Sequence, residues 1–300
     1  MSVPARPFRF GVQMGEPLDR VALVDTARMA EDLGYAVFSC TDHLDHSFPQ
    51  LSPMVALATV AAATTHIGLQ PLVLANDLRH PVVLAKEAAS LDLLSGGRFA
   101  LGLGAGWLAA DFRNAGMDFP RPGIRVARVA EAIDILKGLQ GGEPFDYRGE
   151  YYTVSGLAGT PRPLRCPMPL LVAGSGPVLL SLAARTADTV ALNPGLPMGA
   201  GDWQVGPTPF AEVTDRKLSW IREAAGERFA SLEIQTSVLA GGITPGDTEA
   251  LLAPVAAMLG VPVSKLDDSP HVLAGTVDHC IDTVRGWRER WGISYVTFPA

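Results

Sequence analysis

The feature that most constrains this fold is a regular alternation of short apolar strands with longer helical patterns. Runs of β-branched and aromatic residues are followed by stretches in which apolar residues recur every three or four positions. The predicted strands are residues 8–14, 36–40, 67–75, 98–103, 170–173, 189–192, 233–239 and 294–298. The clearest predicted helices are residues 18–33, 53–65, 81–94 and 121–139. This alternation predicts an α/β fold with a parallel sheet, because parallel neighbours need a long crossover connection.

About eight such repeats in 300 residues fit a single closed (β/α)8 barrel of the TIM type. The alternative is an open doubly wound sheet that binds a dinucleotide. Against it, no Gly-x-Gly-x-x-Gly turn follows the first strand, and no acidic residue stands at dinucleotide spacing. We therefore predict one domain over residues 1–300 with two insertions. Residues 141–168 contain a β-hairpin pattern, and residues 194–209 form a loop rich in Gly and Pro.

The composition excludes several classes of protein. Hydrophobic residues make up 48% of the chain and charged residues 18%, which indicates a buried core rather than disorder. A net charge of -7 and a pI near 5.4 argue against nucleic-acid or anionic-membrane binding, because an acidic surface repels phosphate groups. We find no signal-peptide pattern and no apolar run of the about 18 residues that a membrane span needs. Three widely spaced cysteines predict neither disulfides nor a metal site. We expect a cytoplasmic protein that acts on a small molecule.

Candidate functional residues follow the predicted strands, since barrels bind ligands at the carboxyl ends of their strands. The second strand leads into Asp42 and His43. Histidine side chains in general can act as an acid or a base near neutral pH, so His43 is a candidate for that role. Two alternatives remain open: a helix cap with a surface histidine, and a metal site in the Asp-His-x-Asp-His run. Capping is the default interpretation for the four polar residues ahead of a later helix, which are Asn76, Asp77, Arg79 and His80.

Glycine-rich turns follow two further strands. The fourth strand ends in a segment that includes Gly106 and Trp107, and repeated glycines there let a flat ligand approach the backbone. The fifth strand leads into Gly174, Ser175 and Gly176 ahead of a helix, whose exposed N–H groups favour an anion. An ordinary tight turn is the alternative for both segments.

A series of short motifs follows one another along the chain. They are Glu31-x-x-Gly34-Tyr35, Asp42-His43, Thr65-His66-Ile67-Gly68, His80-Pro81, Ala85-Lys86, the run from Leu91 to Arg98, and GLGAGW at the end of the fourth strand. Together these motifs resemble the bacterial luciferase-like family of flavin- and deazaflavin-dependent oxidoreductases. The segment that begins at Ser269 resembles the actinobacterial branch of probable coenzyme F420-dependent oxidoreductases. The match runs through nearly the whole chain in order.

The resemblance implies a luciferase-like TIM barrel that binds a flavin or deazaflavin ring at the carboxyl ends of the strands. It implies a non-prolyl cis peptide behind the ring, near residues 72–74, and a structural role for Arg98. His43 takes the role of the acid–base residue. The implied cofactor contacts are Asp42 at the ring edge, Leu72 and Val73 behind the ring, Asn76 at the ring or ribityl chain, Gly106 and Trp107 near the ring, and Gly174, Ser175 and Gly176 at the phosphate.

By this resemblance, the chain is an oxidoreductase that transfers a hydride between coenzyme F420 and an unidentified small organic substrate. One alternative is an FMN-dependent two-component monooxygenase, which uses oxygen and a separate flavin reductase. Another is a non-catalytic flavin-binding protein. The sugar-phosphate dehydrogenase branch carries a catalytic Glu where this chain has Trp107, which argues against that reaction. No metal is expected, and the apolar early helices would permit a homodimer.

Overall fold

A computed structural model describes residues 6–15, 19–45, 50–194 and 210–300. These residues fall into two compact units. The N-terminal unit comprises Gly11–Ala173, Thr186–Asp188 and Ala300, and the C-terminal unit comprises Met1–Phe10, Gly174–Arg185 and Thr189–Pro299. That the whole chain forms a single domain stays a prediction. The predicted loop at 194–209 lies almost entirely outside the described residues.

The N-terminal unit contains the first five helices and the first eight strands of the described residues, except for the first two residues of β1 and the last residue of β8. Strand β2 pairs in parallel with β1 and β3, and β5 pairs in parallel with β4 and β8. The elements are β1 (Arg9–Met14), α1 (Arg20–Asp32), β2 (Val37–Cys40), α2 (Pro53–Ala63), β3 (Gly68–Pro71), β4 (Leu74–Ala75), α3 (Pro81–Leu94), β5 (Leu101–Gly104), α4 (Ala109–Asn114), α5 (Pro122–Leu139), β6 (Pro144–Arg148), β7 (Thr153–Ala158) and β8 (Leu170–Gly174).

The C-terminal unit continues the same alternation. Strand β10 pairs in parallel with β9 and β13, and β11 pairs with β12 in a separate two-stranded sheet. The elements are α6 (Pro177–Thr186), β9 (Thr189–Leu192), α7 (Ala211–Ala225), β10 (Glu233–Ser237), β11 (Ala240–Ile243), α8 (Glu249–Leu259), β12 (Val272–Gly275), α9 (Val277–Trp291) and β13 (Ile293–Pro299).

The predicted parallel pairing is confirmed within both units. All residues of β2, β5, β8 and β9 are buried, as expected for parallel strands that are covered on both faces. Helix α3 and strand β9 have the predicted bounds. The third predicted strand is divided into β3 and β4 at residues 72 and 73. The short helix α4 and the strands β11 and β12 were not predicted.

Helix α1 buries only part of the face that its apolar periodicity predicts. Its N-terminus is capped by Asp19, whose carboxylate accepts from the backbone N–H of Val21 at 2.7 Å. The apolar spacing predicts one buried face that consists of Val21, Val24, Ala27 and Ala30. Ala27 and Ala30 are buried as predicted, but Val21 is 66% exposed and Leu23 is buried in addition. A spacing of three to four residues fits two adjacent faces of a helix, and here packing selects the face that contains Leu23.

The predicted hairpin in residues 141–168 is confirmed as the antiparallel pair β6–β7. Glu131 of α5 anchors the connection between its strands. The Glu131 carboxylate accepts from the backbone N–H groups of Glu150, Tyr151 and Tyr152, at 2.6 to 3.2 Å. A Cβ on Gly149 would collide with the same carboxylate, so the connection fits closely against α5. The hairpin is therefore held by α5 as well as by its own ladder.

Candidate active site

Within the N-terminal unit, His43 is held by a buried carboxylate that the sequence analysis missed. His43 follows β2, and its Nδ1 lies 2.8 Å from Oδ2 of Asp111 on α4. Asp111 is 2% exposed, and its Oδ1 accepts from the backbone N–H groups of Leu44 at 2.7 Å and Asp45 at 2.8 Å. An acceptor at Nδ1 fixes that nitrogen as the protonated one, so proton exchange at a neutral His43 falls to Nε2.

Trp107 contacts the same imidazole. Its ring meets that of His43 edge to face, with the ring centroids 5.4 Å apart and an interplanar angle of 80°. Trp107 lies in the short connection between β5 and α4, and Asp111 lies four residues later on α4. One stretch of chain therefore supplies both residues that orient His43. The structure thus brings two predicted site residues, His43 and Trp107, into contact.

Asp42 is tied to an arginine and a backbone amide. Its Oδ2 accepts from Arg79 Nη1 at 2.6 Å and from the Ala75 N–H at 3.0 Å, and its Oδ1 lies 3.1 Å from Arg79 Nη2. The Asp42 side chain is 2% exposed. Asp42 is therefore neither surface-exposed nor a helix cap, so the helix-cap alternative is wrong for this residue.

The capping interpretation is confirmed for His80, whose Nδ1 accepts from the Val82 N–H at 3.3 Å.

Asn76 lies beyond β4 in a buried polar cluster. Its side-chain amide donates to Asp77 at 2.9 Å and to the Tyr152 hydroxyl at 3.3 Å. The second carboxylate oxygen of Asp77 accepts from Arg128 at 3.0 Å. Burial raises the pKa of Tyr152, so its hydroxyl remains protonated at neutral pH. The hairpin thus supplies a polar group beside a predicted cofactor residue.

The two residues between β3 and β4, Leu72 and Val73, form the bulge that divides the third predicted strand, here called the third-strand bulge. The peptide bond between Leu72 and Val73 is cis, within the range that the family resemblance implied. The Val73 side chain fits against Gly104 of β5, where an added Cβ would lie 2.8 Å from Val73 Cγ2. Gly102 is needed in the same way, because a Cβ there would collide with the Pro71 carbonyl. Gly102 and Gly104 of β5 therefore allow this strand to pack closely against the bulge.

Gly106 has a φ of +70°, a conformation that favours glycine. A Cβ there would lie 2.9 Å from the Phe112 ring of α4. Gly106 therefore lets the chain turn from β5 toward Trp107 and α4. This local role explains the glycine, and its predicted contact with a cofactor stays a prediction.

The predicted phosphate turn belongs to the C-terminal unit. Gly174 is the last residue of β8, and Ser175 and Gly176 lead directly into α6. The Gly176 carbonyl accepts from Leu180 in the first turn of the helix at 3.1 Å. The predicted arrangement of small residues ahead of a helix N-terminus is therefore present. That the turn binds a phosphate stays a prediction.

Two further predictions concern structural and metal-binding residues. Arg98 donates to the carbonyls of Ser95, Ala61 and Ile67 at 2.7 to 2.9 Å, which confirms its structural role. Among the residues outside the gaps at 1–5, 16–18, 46–49 and 195–209, no cluster of three His, Cys, Asp or Glu side chains could hold a metal ion. In the same part of the chain, no helix is long and apolar enough to cross a membrane.

Sequence reasoning missed Asp111 and Tyr152, and its capping interpretation of Arg79 is wrong, because Arg79 pairs with Asp42. Asp111 is 68 positions from His43, so no local motif connects the two residues. Arg79 lies beside His80 and Pro81, and helix capping was already a sufficient explanation for polar residues in this segment. Tyr152 lies in the insertion, where aromatic residues indicated only a strand pattern. Each contact depends on tertiary structure rather than on sequence spacing.

Comparison with known proteins places the chain in a family. The family described as luciferase-like monooxygenase matches residues 5–205. An F420-dependent glucose-6-phosphate dehydrogenase of Kineococcus radiotolerans is 35% identical over 55% of this chain and 50% of its own length. A 4-hydroxyprotoasukamycin monooxygenase of Streptomyces nodosus subsp. asukaensis is 27% identical over 90% of this chain and 77% of its own length. The chain spans about half the length of the curated F420-dependent relatives that it matches.

Solved structures show the same fold. The coenzyme F420-dependent tetrahydromethanopterin reductase of Methanopyrus kandleri aligns with a TM-score of 0.78, over 98% of this chain and 94% of that structure. Its sequence identity is 19%, so this likeness shows the fold alone. The predicted luciferase-like α/β barrel of the TIM type is confirmed. Because the sequence pattern of the family matches residues 5–205, this chain belongs to the luciferase-like monooxygenase family.

Proposed function

We propose that this protein is an oxidoreductase that transfers a hydride between coenzyme F420 and a small organic substrate, with His43 as the acid–base residue. The observation that carries the proposal is the His43–Asp111 pair beyond β2. A buried carboxylate holds one imidazole nitrogen, and Trp107 contacts the ring edge to face. An acid or base needs this kind of fixed orientation, because proton transfer depends on hydrogen-bond geometry before it depends on pKa.

The donor set of the N-terminal unit suits a flavin-type heterocycle. Such a ring has broad apolar faces and polar edges. The third-strand bulge offers the apolar side chains of Leu72 and Val73, and Asn76 offers a buried amide. When bound, the deazaflavin ring supplies a two-electron hydride donor or acceptor. The protein residues then orient the ring and substrate, exclude water and exchange a proton at His43 Nε2.

The choice of F420 is supported by the F420-dependent dehydrogenases that are 32–35% identical to this chain. We propose a substrate other than a sugar phosphate. Trp107, which contacts His43, stands where the sugar-phosphate branch carries its catalytic Glu. An indole adds apolar surface beside the acid–base residue and cannot exchange a proton with a hydroxyl group. We therefore expect an apolar group of the substrate to pack against Trp107.

The second candidate is an FMN-dependent monooxygenase with a separate reductase partner. It is favoured by the monooxygenase relative whose alignment covers 90% of this chain. The two candidates predict opposite cofactor preferences. Titration of the purified protein with F420 and, separately, with FMN, followed by ligand fluorescence, discriminates them. Micromolar or tighter F420 binding with weak FMN binding supports the first candidate, and the reverse supports the second. Binding of neither compound would refute both.

Turnover separates an enzyme from a non-catalytic binding protein. With the preferred cofactor, substrates are screened by loss or gain of the reduced-cofactor absorbance. The His43→Ala variant should lose turnover and retain cofactor binding. His66→Ala is the matched control, because the His66 side chain is 88% exposed. Equal turnover in His43→Ala and the wild-type protein would remove His43 from the mechanism.

A further inference from the structure

A cavity of about 220 Å³ lies between helices α3 and α5 and the connection that joins β7 to β8, all in the N-terminal unit. Its walls include Leu101, the first residue of β5, and Met168, which lies just before β8. The cavity is therefore at the amino ends of these strands, whereas His43 follows the carboxyl end of β2. Its described lining includes none of the candidate site residues. A molecule bound here would lie outside the candidate active site.

The connection between β7 and β8 is attached to both helices. The Arg165 N–H donates to the Asp92 carboxylate of α3 at 3.0 Å, and the Met168 N–H donates to the side-chain carbonyl of Gln140, just after α5, at 2.8 Å. Gly159 packs against the last residue of α5, where an added Cβ would collide with a backbone carbonyl. Closing the cavity would break one of these contacts, so the space is a fixed feature of the fold.

The lining of this cavity is almost entirely apolar. Helix α3 contributes the small side chains of Ala85 and Ala89, and α5 contributes Leu136 and Leu139, which are 5% and 4% exposed. Protein interiors rarely contain an unfilled space larger than a water molecule, and an apolar space of this kind stays dry and accepts an apolar guest. Since an engineered cavity of about 150 Å³ holds benzene, this one has room for about eight carbon atoms.

One cation lies at this cavity. Lys86, on α3, is the single charged residue among the described lining residues, and its side chain is exposed. Within the described ranges of the chain, no carboxylate or carbonyl pairs with its ammonium group. Gln140, whose Oε1 already accepts from the Met168 N–H, adds an amide donor to the same lining. A lysine stem packs along apolar surface while its head stays in water, so the positive charge lies at the mouth of the cavity.

We propose that this cavity is a second binding site, which takes a small amphipathic carboxylate. An apolar body of about eight carbon atoms fills the space between α3 and α5. The carboxylate accepts from Lys86 Nζ and from the Gln140 amide at the mouth, because a charged acceptor gains most from a charged donor. Because the site is separate from the candidate active site, we expect it with either cofactor and with no cofactor bound.

The test compares octanoate with 1-octanol, which has the same carbon chain without the charge. Dissociation constants are measured by NMR titration of methyl-labelled protein. We expect octanoate to bind about threefold more tightly than 1-octanol, a modest factor because Lys86 is exposed. Lys86→Met should remove this difference and leave the affinity for 1-octanol unchanged. Ala85→Leu should weaken binding of both compounds about tenfold or more, because the larger side chain occupies the cavity.

Lys265→Met is the matched control, because Lys265 is an exposed lysine of the C-terminal unit, and it should leave both dissociation constants unchanged. Saturating F420 or FMN should leave them unchanged as well. The proposal is wrong if octanoate fails to bind at millimolar concentration, binds no better than 1-octanol, or binds equally to the wild-type protein and Ala85→Leu. Displacement of octanoate by either cofactor would place it in the active site and also overturn the proposal. None of these outcomes affects the proposed function, which the cofactor titrations test.

A second measurement covers the case in which Ala85→Leu does not fold. In the wild-type protein, octanoate should shift the methyl signals of Val82, Leu136 and Leu139, which line the cavity. The methyl signals of Leu218, a buried leucine of the C-terminal unit, should not move. Shifts confined to methyl groups outside the cavity lining would overturn the proposal.

Discussion

The carboxylate of Asp111 lies 2.8 Å from Nδ1 of His43 across 68 positions of sequence. The same carboxylate binds the N–H groups of the two residues after His43, at 2.7 and 2.8 Å. Asp111 therefore fixes both the imidazole and the backbone that carries it. Changes at Asp111 should affect the chemistry of His43 without removing the imidazole.

We expect Asp111→Asn to lower turnover by about 10²-fold or more, because an amide can present its N–H group to Nδ1 and favour the wrong tautomer. Cofactor affinity should change little, since the Asp111 side chain is 3% exposed and its carboxylate contacts His43 and the backbone after it. The measurement is steady-state turnover with the cofactor that binds, alongside its dissociation constant. Asn114→Ala, on the same helix, is the control for effects on α4, because its contact is with Asp45 and not His43. Wild-type turnover in Asp111→Asn would show that the pair has no catalytic role.

The Asp42–Arg79 pair predicts a loss of stability. Replacing Arg79 by Met leaves a carboxylate that is 2% exposed without its cation. We expect a loss of about 3 kcal/mol in the free energy of unfolding, measured by urea denaturation. Arg285→Met is the matched control, because that arginine pairs with Asp282 at 3.4 Å on an exposed surface and should change stability by less than about 0.5 kcal/mol. Similar losses in the two variants would contradict the structural assignment.

Glu31 predicts a pH dependence. Burial of the Glu31 carboxylate opposes ionisation, but the N–H groups of His66, Ile67 and Thr65 stabilise the anion and hold its pKa at about 2, below the ordinary 4.5. A lowered folded-state pKa stabilises the protein above pH 4.5, and this contribution is lost as the pH falls toward 2. The urea concentration at the unfolding midpoint should therefore decrease less in Glu31→Gln than in the wild-type protein as the pH falls from 4.5 to about 2. Glu143→Gln, at a side chain that is 83% exposed, should retain the wild-type profile.

The contact between Gly104 and Val73 predicts an overpacking effect. In Gly104→Ala, the new Cβ would lie 2.8 Å from Val73 Cγ2 in a buried strand. We expect a loss of about 1–3 kcal/mol in unfolding free energy. The control is Gly123→Ala in α5, where the added Cβ meets nothing within 4 Å and should be neutral or slightly stabilising. Calorimetric melting of both variants checks the prediction. An unchanged melting temperature for Gly104→Ala would contradict it and show that Val73 can move to accommodate the added methyl group.

The sequence predicted elements better than it predicted faces and partners. Helix α3 begins at Pro81 and is followed by Gly96 and Gly97, and such punctuation marks its ends in the sequence itself. Strands β11 and β12 were missed because their segments are rich in glycine and alanine and lack β-branched runs. Helix α4 has only six residues, too few for a periodic signal.

In the candidate site, too, the sequence predicted which residues lie there better than it predicted their hydrogen-bond partners. His43 and Trp107 could be selected because each follows a predicted strand. Asp111 and Arg79 could not be assigned their roles, since hydrogen bonds between distant segments leave no spacing in the sequence. The family resemblance located the cis peptide to a range of three residues, and the structure assigns it to Leu72–Val73.

The attachment of the hairpin to Glu131 has an engineering consequence. Because three successive N–H groups converge on one α5 carboxylate, the position of Tyr152 depends on the helix more than on the length of β6 and β7. The ends of those strands that lie away from Glu131 can then be shortened, extended or exchanged as a replaceable module. Grafting other sequences there would vary the periphery of the enzyme while leaving the tyrosine hydroxyl beside Asn76.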